Sequence, residues 1–432
     1  VLALVLSFFT KYFANDKGQT EYSFYTNENI PQYIFICVIV SIFIGLVIAA
    51  EEINKDKKIL ERERFLNLSK NGYLLSKITI LFTISAIQSL MFVLIANSIL
   101  EIKGMYFDYW LILFSTSCLA NLAGLNISSA FNSAKVIYII VPLLVIPQLL
   151  FSGVIVKFDK LHPSLSNATK VPWIGNVMVS RWSYEALAVE QASNNPLEIY
   201  YFDAHVRQTS AKWKKDYWLP EVRRNIRLLH SDDELEQEEL EFARELVYNE
   251  MNREISSWEQ LSCEDCLEDI KTGKTENDFK GVRGYLDILE AAWRVKVNKR
   301  GAEIQDIIEG IGSDEYIKLR DEYTNESLMN LVTNKMEDSK MNISDGKIYQ
   351  NDEPIYNIPS KESSFFSAHF YAPKKFYFGF LVDTYWINLA IIWMISFLTY
   401  IALYFEWLRK FIKFTQHVSK KLSRNKKSNF AD

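Results

Sequence analysis

The chain has 432 residues, long enough for two or three domains, and 49% of them are hydrophobic. Its near-zero mean hydropathy averages long apolar runs in residues 1–191 with a charge-rich middle, a split that excludes an ordinary soluble globule. The net charge of -5 also averages opposites. Residues 192–375 carry 37 acidic against 25 basic side chains, while the stretches after Glu51 and after Trp407 are basic; such segregation orients a membrane protein and gives no support to nucleic-acid binding.

Val1 to Phe13 is apolar but shorter than the ~20 residues that cross a bilayer, so it reads as the outer half of a first span beginning upstream. Tyr33 to Ala50 is a full-length second span, descending to Glu51. From Glu51 to Lys77, seven residues are Lys or Arg and the apolar Ile59, Leu60, Phe65 and Leu68 recur at helical spacing, which predicts an amphipathic cytoplasmic helix lying against another domain. Ile78 to Leu100 is the third span, Tyr109 to Phe131 the fourth, rich in small residues that let helices approach, and Val136 to Val156 the fifth, containing Pro142 and Pro147. Residues 157–190 are amphipathic and aromatic, with Trp173, Trp182 and Tyr184 suited to the membrane interface, and read as a dipping or interfacial segment on the outer side.

Residues 192–375 form the next unit, mostly helical and extracytoplasmic on this topology. Helices are predicted at Asp232 to Leu261, Lys280 to Asn298, Ala302 to Ile311 and Asp314 to Lys335, with turn-and-strand character over residues 344–356. Phe378 to Phe405 is the sixth span, with Asp383 near its outer end, and the basic tail returns to the cytoplasm. Six crossings place both basic stretches on one side. The expected fold is therefore all-α and polytopic, organised as 1–191, 192–375 and 376–432.

No phosphate-binding Gly-rich loop with its lysine is present, and no catalytic constellation stands out. Cys263 and Cys266 form a lone CxxC that reads as a local disulfide, as free thiols or, with weaker support, as part of a metal site. Gln88, Asn97, Asn121 and Asn126 are read as interhelical hydrogen-bonding groups, with substrate ligands as the alternative. Glu51 and Glu52 sit beside Lys55 and Lys57, either as a static ion-pair cluster or as a contact that moves during a cycle.

Several of these features, in order, resemble the membrane domain of the G-subfamily of ABC exporters and related bacterial type-2 permeases. They are the second span ending at Ala50-Glu51, the DKKILERER helix followed by NGYLLSK, Phe151-Ser152-Gly153 late in the fifth span, and Ser180-Arg181-Trp182-Ser183-Tyr184-Glu185-Ala186-Leu187 after it. The resemblance covers residues 1–190 and 378–414. It implies a half-transporter that forms a homodimer or heterodimer and couples to a nucleotide-binding domain through Glu51, Lys57, Lys58, Arg62, Glu63 and Arg64. ATP and Mg would be bound by that domain, supplied upstream or on another subunit. The resemblance further implies a substrate cavity at the dimer axis formed by Ser41, Phe43, Ile44, Ile146, Leu149 and Leu150, closed by an apolar plug at Val154 and Ile155; lipid-facing or packing roles are the alternative for each. It implies export of an amphipathic or lipid-like substrate across the plasma membrane, or the inner membrane of a bacterium, by alternating access. The outer domain is not explained by the resemblance. A membrane-anchored scaffold or mechanotransmission protein, whose outer domain binds an envelope partner, is the competing expectation.

Overall fold

The computed structural model describes residues 1–11, 22–62, 69–131, 133–162, 170–230, 236–258, 261, 263–337, 339–359, 366, 368–377 and 379–428, without the side chains of 57–61, 134, 264 and 418–428. The chain divides into two compact units. One comprises residues 1–166, 172–191 and 382–432; the other comprises residues 167–171 and 192–381.

In the first unit the unbroken apolar runs wind into helices because a backbone in hydrocarbon must satisfy its polar groups internally. These are α1 (Leu2–Thr10), α2 (Ile30–Ala49), α4 (Lys70–Ile99), α5 (Tyr106–Ala130), α6 (Ala134–Leu150) and α16 (Thr384–Tyr404), with the charged α3 (Glu52–Arg62) between α2 and α4. Four of them, α2, α4, α5 and α16, are long and apolar enough to cross a membrane; α1 and α6 are apolar but shorter. The centre is α5, which packs against α2, α4 and α16 and meets α3, α6 and α17 (Trp407–Ser428). Two glycines permit the α2–α5 approach. A Cβ on Gly45 would lie 2.7 Å from the Ser117 carbonyl oxygen, and one on Gly124 would lie 2.8 Å from the Ala49 Cβ.

Two helix boundaries differ from those expected. The stretch expected as the fifth span is helical only to Leu150 rather than to Val156: Gly153 takes φ 81°, outside the helical region, and packs so tightly beneath the Phe158 ring that no side chain fits. The sixth helix begins at Thr384, with Asp383 just outside its first turn; the preceding residues form the paired strands β3 (Lys374–Tyr377) and β4 (Phe380–Asp383). Within residues 157–190, Trp173 at the start of α7 (Trp173–Val177) is exposed, and α8 (Val179–Ser193) is embedded in the protein, with Trp182 and Tyr184 fully buried. Ser180, Ser183 and Glu185 of α8 hydrogen-bond to other helices of the protein.

The second unit builds its own core. Helices α9 (Phe202–Trp213) and α10 (Leu219–Leu228), joined by a π-helical turn, pack with α11 (Gln237–Ser257), α12 (Glu264–Thr272) and α13 (Lys280–Ile311) around Trp218, Leu246, Met251, Phe279 and Trp293. The strongest sequence helix appears as α11. The stretches predicted as two helices are the single α13, running through Gly301, because Ile304, Ile307, Ile308 and Ile311 continue its apolar face onto Leu197, Tyr201 and Ala204. The predicted 314–335 helix is instead α14 (Ser313–Tyr323) and α15 (Glu326–Val332), the latter capped by Asn325, whose Oδ1 accepts from the Leu328 amide at 2.8 Å. An antiparallel hairpin, β1 (Met341–Ser344) with β2 (Lys347–Gln350), follows. The buried Glu250 carboxylate ties α11 to this hairpin and to the α10 entry, accepting from the Ile348 amide (2.9 Å) and the Trp218 indole, with Arg253 beside it at 2.6 Å. Cys263 and Cys266 are joined by a disulfide at the start of α12.

Candidate functional site

The charged helix α3 is fixed to the apolar helices by its first turn. The Ile53 and Asn54 amides, which have no intrahelical acceptor at a helix start, both donate to Ser128 Oγ of α5 at 3.0 Å. A hydroxyl oxygen has two lone pairs, so one serine satisfies both. The acidic side of α3 faces α4: Lys77 Nζ lies 3.1 Å from Glu52 and 2.7 Å from Asp56, and the Tyr73 hydroxyl donates to Asp56 at 3.1 Å. Glu51 pairs with Lys55 at 3.3 Å. Nearby, Lys70 at the start of α4 reaches Glu406 at 2.8 Å, and Lys70 holds the Glu406 carboxyl below its ordinary range. This arrangement leaves Arg62 exposed and not ion-paired among the described residues. The side chains of Lys57 and Lys58, and residues Glu63 and Arg64, lie outside the described residues.

Ser41 and Ile44 line a cleft of about 190 Å³ between α1, α2, α4 and α5, floored by Ser85, Gln88, Ser89 and Ser117. This cleft includes none of Phe43, Ile146, Leu149 and Leu150. Phe43, Ile146 and Leu150 are exposed apolar residues on α2 and α6, Leu149 is half-buried, Val154 is half-buried and Ile155 is exposed. Gln88 therefore belongs to a cavity, whereas the three asparagines bond between helices: Asn97 Oδ1 accepts from the Tyr33 hydroxyl at 2.7 Å, Asn121 donates to Ser85 at 2.8 Å, and Asn126 donates to the Thr399 carbonyl at 3.0 Å.

The densest buried polar cluster centres on α8. Arg181 and Glu185, one helical turn apart and fully buried, approach to 3.5 Å; Asn388 of α16 donates to Glu185 at 2.7 Å and to the Trp182 carbonyl at 3.0 Å. Ser183 and Thr116 share a 2.7 Å hydrogen bond, and Ser180 binds Gln148 of α6 through both its amide (3.0 Å) and its hydroxyl (2.7 Å). Charges this deep persist only when paired, so the cluster fixes the positions of α5, α6, α8 and α16 together. In the sequence the only signal for this pair is the four-residue spacing of Arg181 and Glu185.

The second unit holds a separate cleft of about 440 Å³, with His205, Thr209, Lys212, Lys340, Asp352 and Tyr356 among its walls. Glu353 stands at its edge in the left-handed region (φ 47°), accepting from Thr209 at 2.8 Å. Among the described residues no group of three or more His, Cys, Asp or Glu side chains is arranged to hold a metal ion.

Residues 2–191 match the ABC-2 type transporter family, whose membrane domains are the permease components of ABC transporters and normally work with an ATP-binding subunit. No curated protein and no solved structure matches the chain. The match spans α1 to α8, taking in the docked α3, the serine-floored cleft and the Arg181–Glu185 pair, and residues 2–191 are accordingly a type-2 ABC permease domain of a multi-pass membrane protein.

Proposed function

We propose that this chain is the membrane half of an ATP-driven exporter, working as a dimer and moving an amphipathic or lipid-like substrate by alternating access. The observation that carries the proposal is the pair of hydrogen bonds from the first turn of α3 to Ser128: a charged helix locked to the most buried apolar helix would pass a push on its outer face directly into the bundle. Arg62, Lys57, Lys58, Glu63 and Arg64 supply the charge that meets a nucleotide-binding domain, which binds ATP and Mg. Exposed Phe43, Ile146 and Leu150 suit an apolar cavity completed by a second protomer, with Val154 and Ile155 as its plug. On this reading the α3 end is cytoplasmic, residues 192–381 are extracytoplasmic, and the membrane is the plasma membrane or a bacterial inner membrane.

The test is vanadate-sensitive ATPase activity of the complex with its ATP-binding partner in nanodiscs. Turnover stimulated by added lipid, and lost in Arg62→Glu while the complex still assembles, is the expected result; lipid-independent turnover untouched by Arg62→Glu would defeat the proposal. A mechanotransmission role is favoured by one observation, the independent core and disulfide of residues 192–381. It predicts ATPase activity stimulated by an envelope partner rather than by lipid.

A further inference from the structure

The last helix of the chain carries an apolar face that its own fold does not use. After Tyr404 the backbone passes through Glu406 at φ 54°, in the left-handed region, so α17 does not continue α16; Lys70 (2.8 Å) and Arg409 (3.2 Å) hold the Glu406 carboxylate at this corner. Leu408 and Ile412 are half-buried, and α17 packs against α5. A different stripe is left over. Trp407, Phe411 and Phe414, spaced i, i+4 and i+7 and so on one side of a helix, are 56%, 64% and 66% exposed. In the sequence the same spacing continues to Val418 and Leu422.

The charge of this helix is one-sided in sign as well. Residues 407–428 contain eight Lys or Arg and no Asp or Glu. Lys410 and Lys413 are exposed, flanking the aromatic stripe. Trp407 also begins the stripe three residues beyond the end of a membrane-length helix and stacks with Phe405 at 6.4 Å between ring centroids, which sets the aromatics at the depth where Trp is favoured in bilayers.

We propose that α17 lies in the plane of the membrane and binds a leaflet rich in anionic lipid. Trp407, Phe411 and Phe414 enter the boundary between headgroups and acyl chains, and the basic residues pair with phosphate-bearing headgroups. Charge complementarity selects lipid over a protein groove. A protein would have to strip water from a run of cations and supply matching carboxylates, whereas an anionic leaflet offers diffuse negative charge with the cations still hydrated. The proposal needs the membrane assignment but not the transport reading.

The experiment uses the full chain in nanodiscs. Cys37 and Cys118 are buried and Cys263 is bonded to Cys266, so Phe414→Cys provides an accessible thiol for a nitroxide label. In phosphatidylcholine containing phosphatidylglycerol, oxygen dissolved in lipid should relax the label more than a water-soluble nickel chelate does. That ratio should fall by about tenfold in phosphatidylcholine alone, or when Lys410, Lys413, Lys420 and Lys421 are all changed to Gln. A label equally open to the aqueous relaxant in both lipid compositions overturns the proposal. A label shielded only after an ATP-binding subunit is added, whatever the lipid, overturns it in favour of a protein-docking face.

Discussion

Gly124 and Glu198 show how much single residues decide here. Gly124→Ala pushes a methyl group to 2.8 Å from the Ala49 Cβ and 2.9 Å from the Leu46 carbonyl oxygen, contacts that backbone must yield to. The expected loss is about 1–3 kcal/mol, read as a lower melting temperature in detergent, with Gly72→Ala, whose nearest atom is 3.7 Å away, unchanged as a control. Glu198 is buried beside the Tyr201 hydroxyl, 3.3 Å away, and burial raises its carboxyl to about 7. A raised carboxyl favours folding while protonated. Its stabilisation is therefore complete below about 4.5 and is lost as pH rises through about 7. Glu198→Gln should flatten this slope in pH-dependent denaturation and leave the variant the more stable at pH 8. The fine fit of Gly124 was not legible in the sequence, where it was simply one of several small residues in a span; which small side chain meets which backbone is decided by the partner helix.

Among the elements, α3 offers the sharpest test. Ser128→Ala removes the acceptor for two amides and should cost about 1 kcal/mol at the start of α3. Because the bonds also anchor α3 to α5, substrate-stimulated ATP hydrolysis by the assembled complex should drop more than basal hydrolysis; equal effects on both would show that the serine is structural only. The apolar helices were legible because lipid solvation demands long unbroken apolar runs, and α2 and α5 lie within three residues of where those runs begin and end. Helix α8 is harder to read for the same physical reason. Ser180, Arg181, Ser183 and Glu185 make it look too polar for an interior, and only neighbours distant in sequence, Gln148, Thr116 and Asn388, reveal that its polar groups are satisfied. The joined α13 was missed because Gly301 reads as a break when no partner for Ile304 is in view.

At the scale of the whole molecule, two units with separate cores should unfold separately. Reducing the disulfide between Cys263 and Cys266 should lower the stability of residues 192–381 by on the order of 2 kcal/mol, the entropy of so small a loop, and leave the melting of the apolar helices in place. Two calorimetric transitions, only one of them sensitive to reductant, are the expected record. The bulk division between apolar and charged halves was plain in composition, but the chemistry of the 440 Å³ cleft was not, since Lys340 and Asp352 come to His205 across more than a hundred residues of chain. One length has a mechanical meaning. With 30 residues α4 is about 45 Å long, against a hydrocarbon layer of about 30 Å, so its Lys70 end projects beyond the layer. It is this overhang that carries the links to α3 and to Glu406. A tilt of about 5° around its midpoint would swing that end by roughly 2 Å while Ser85, close to the midpoint, would scarcely move, so any displacement of α4 would be felt most at its links to α3 and Glu406.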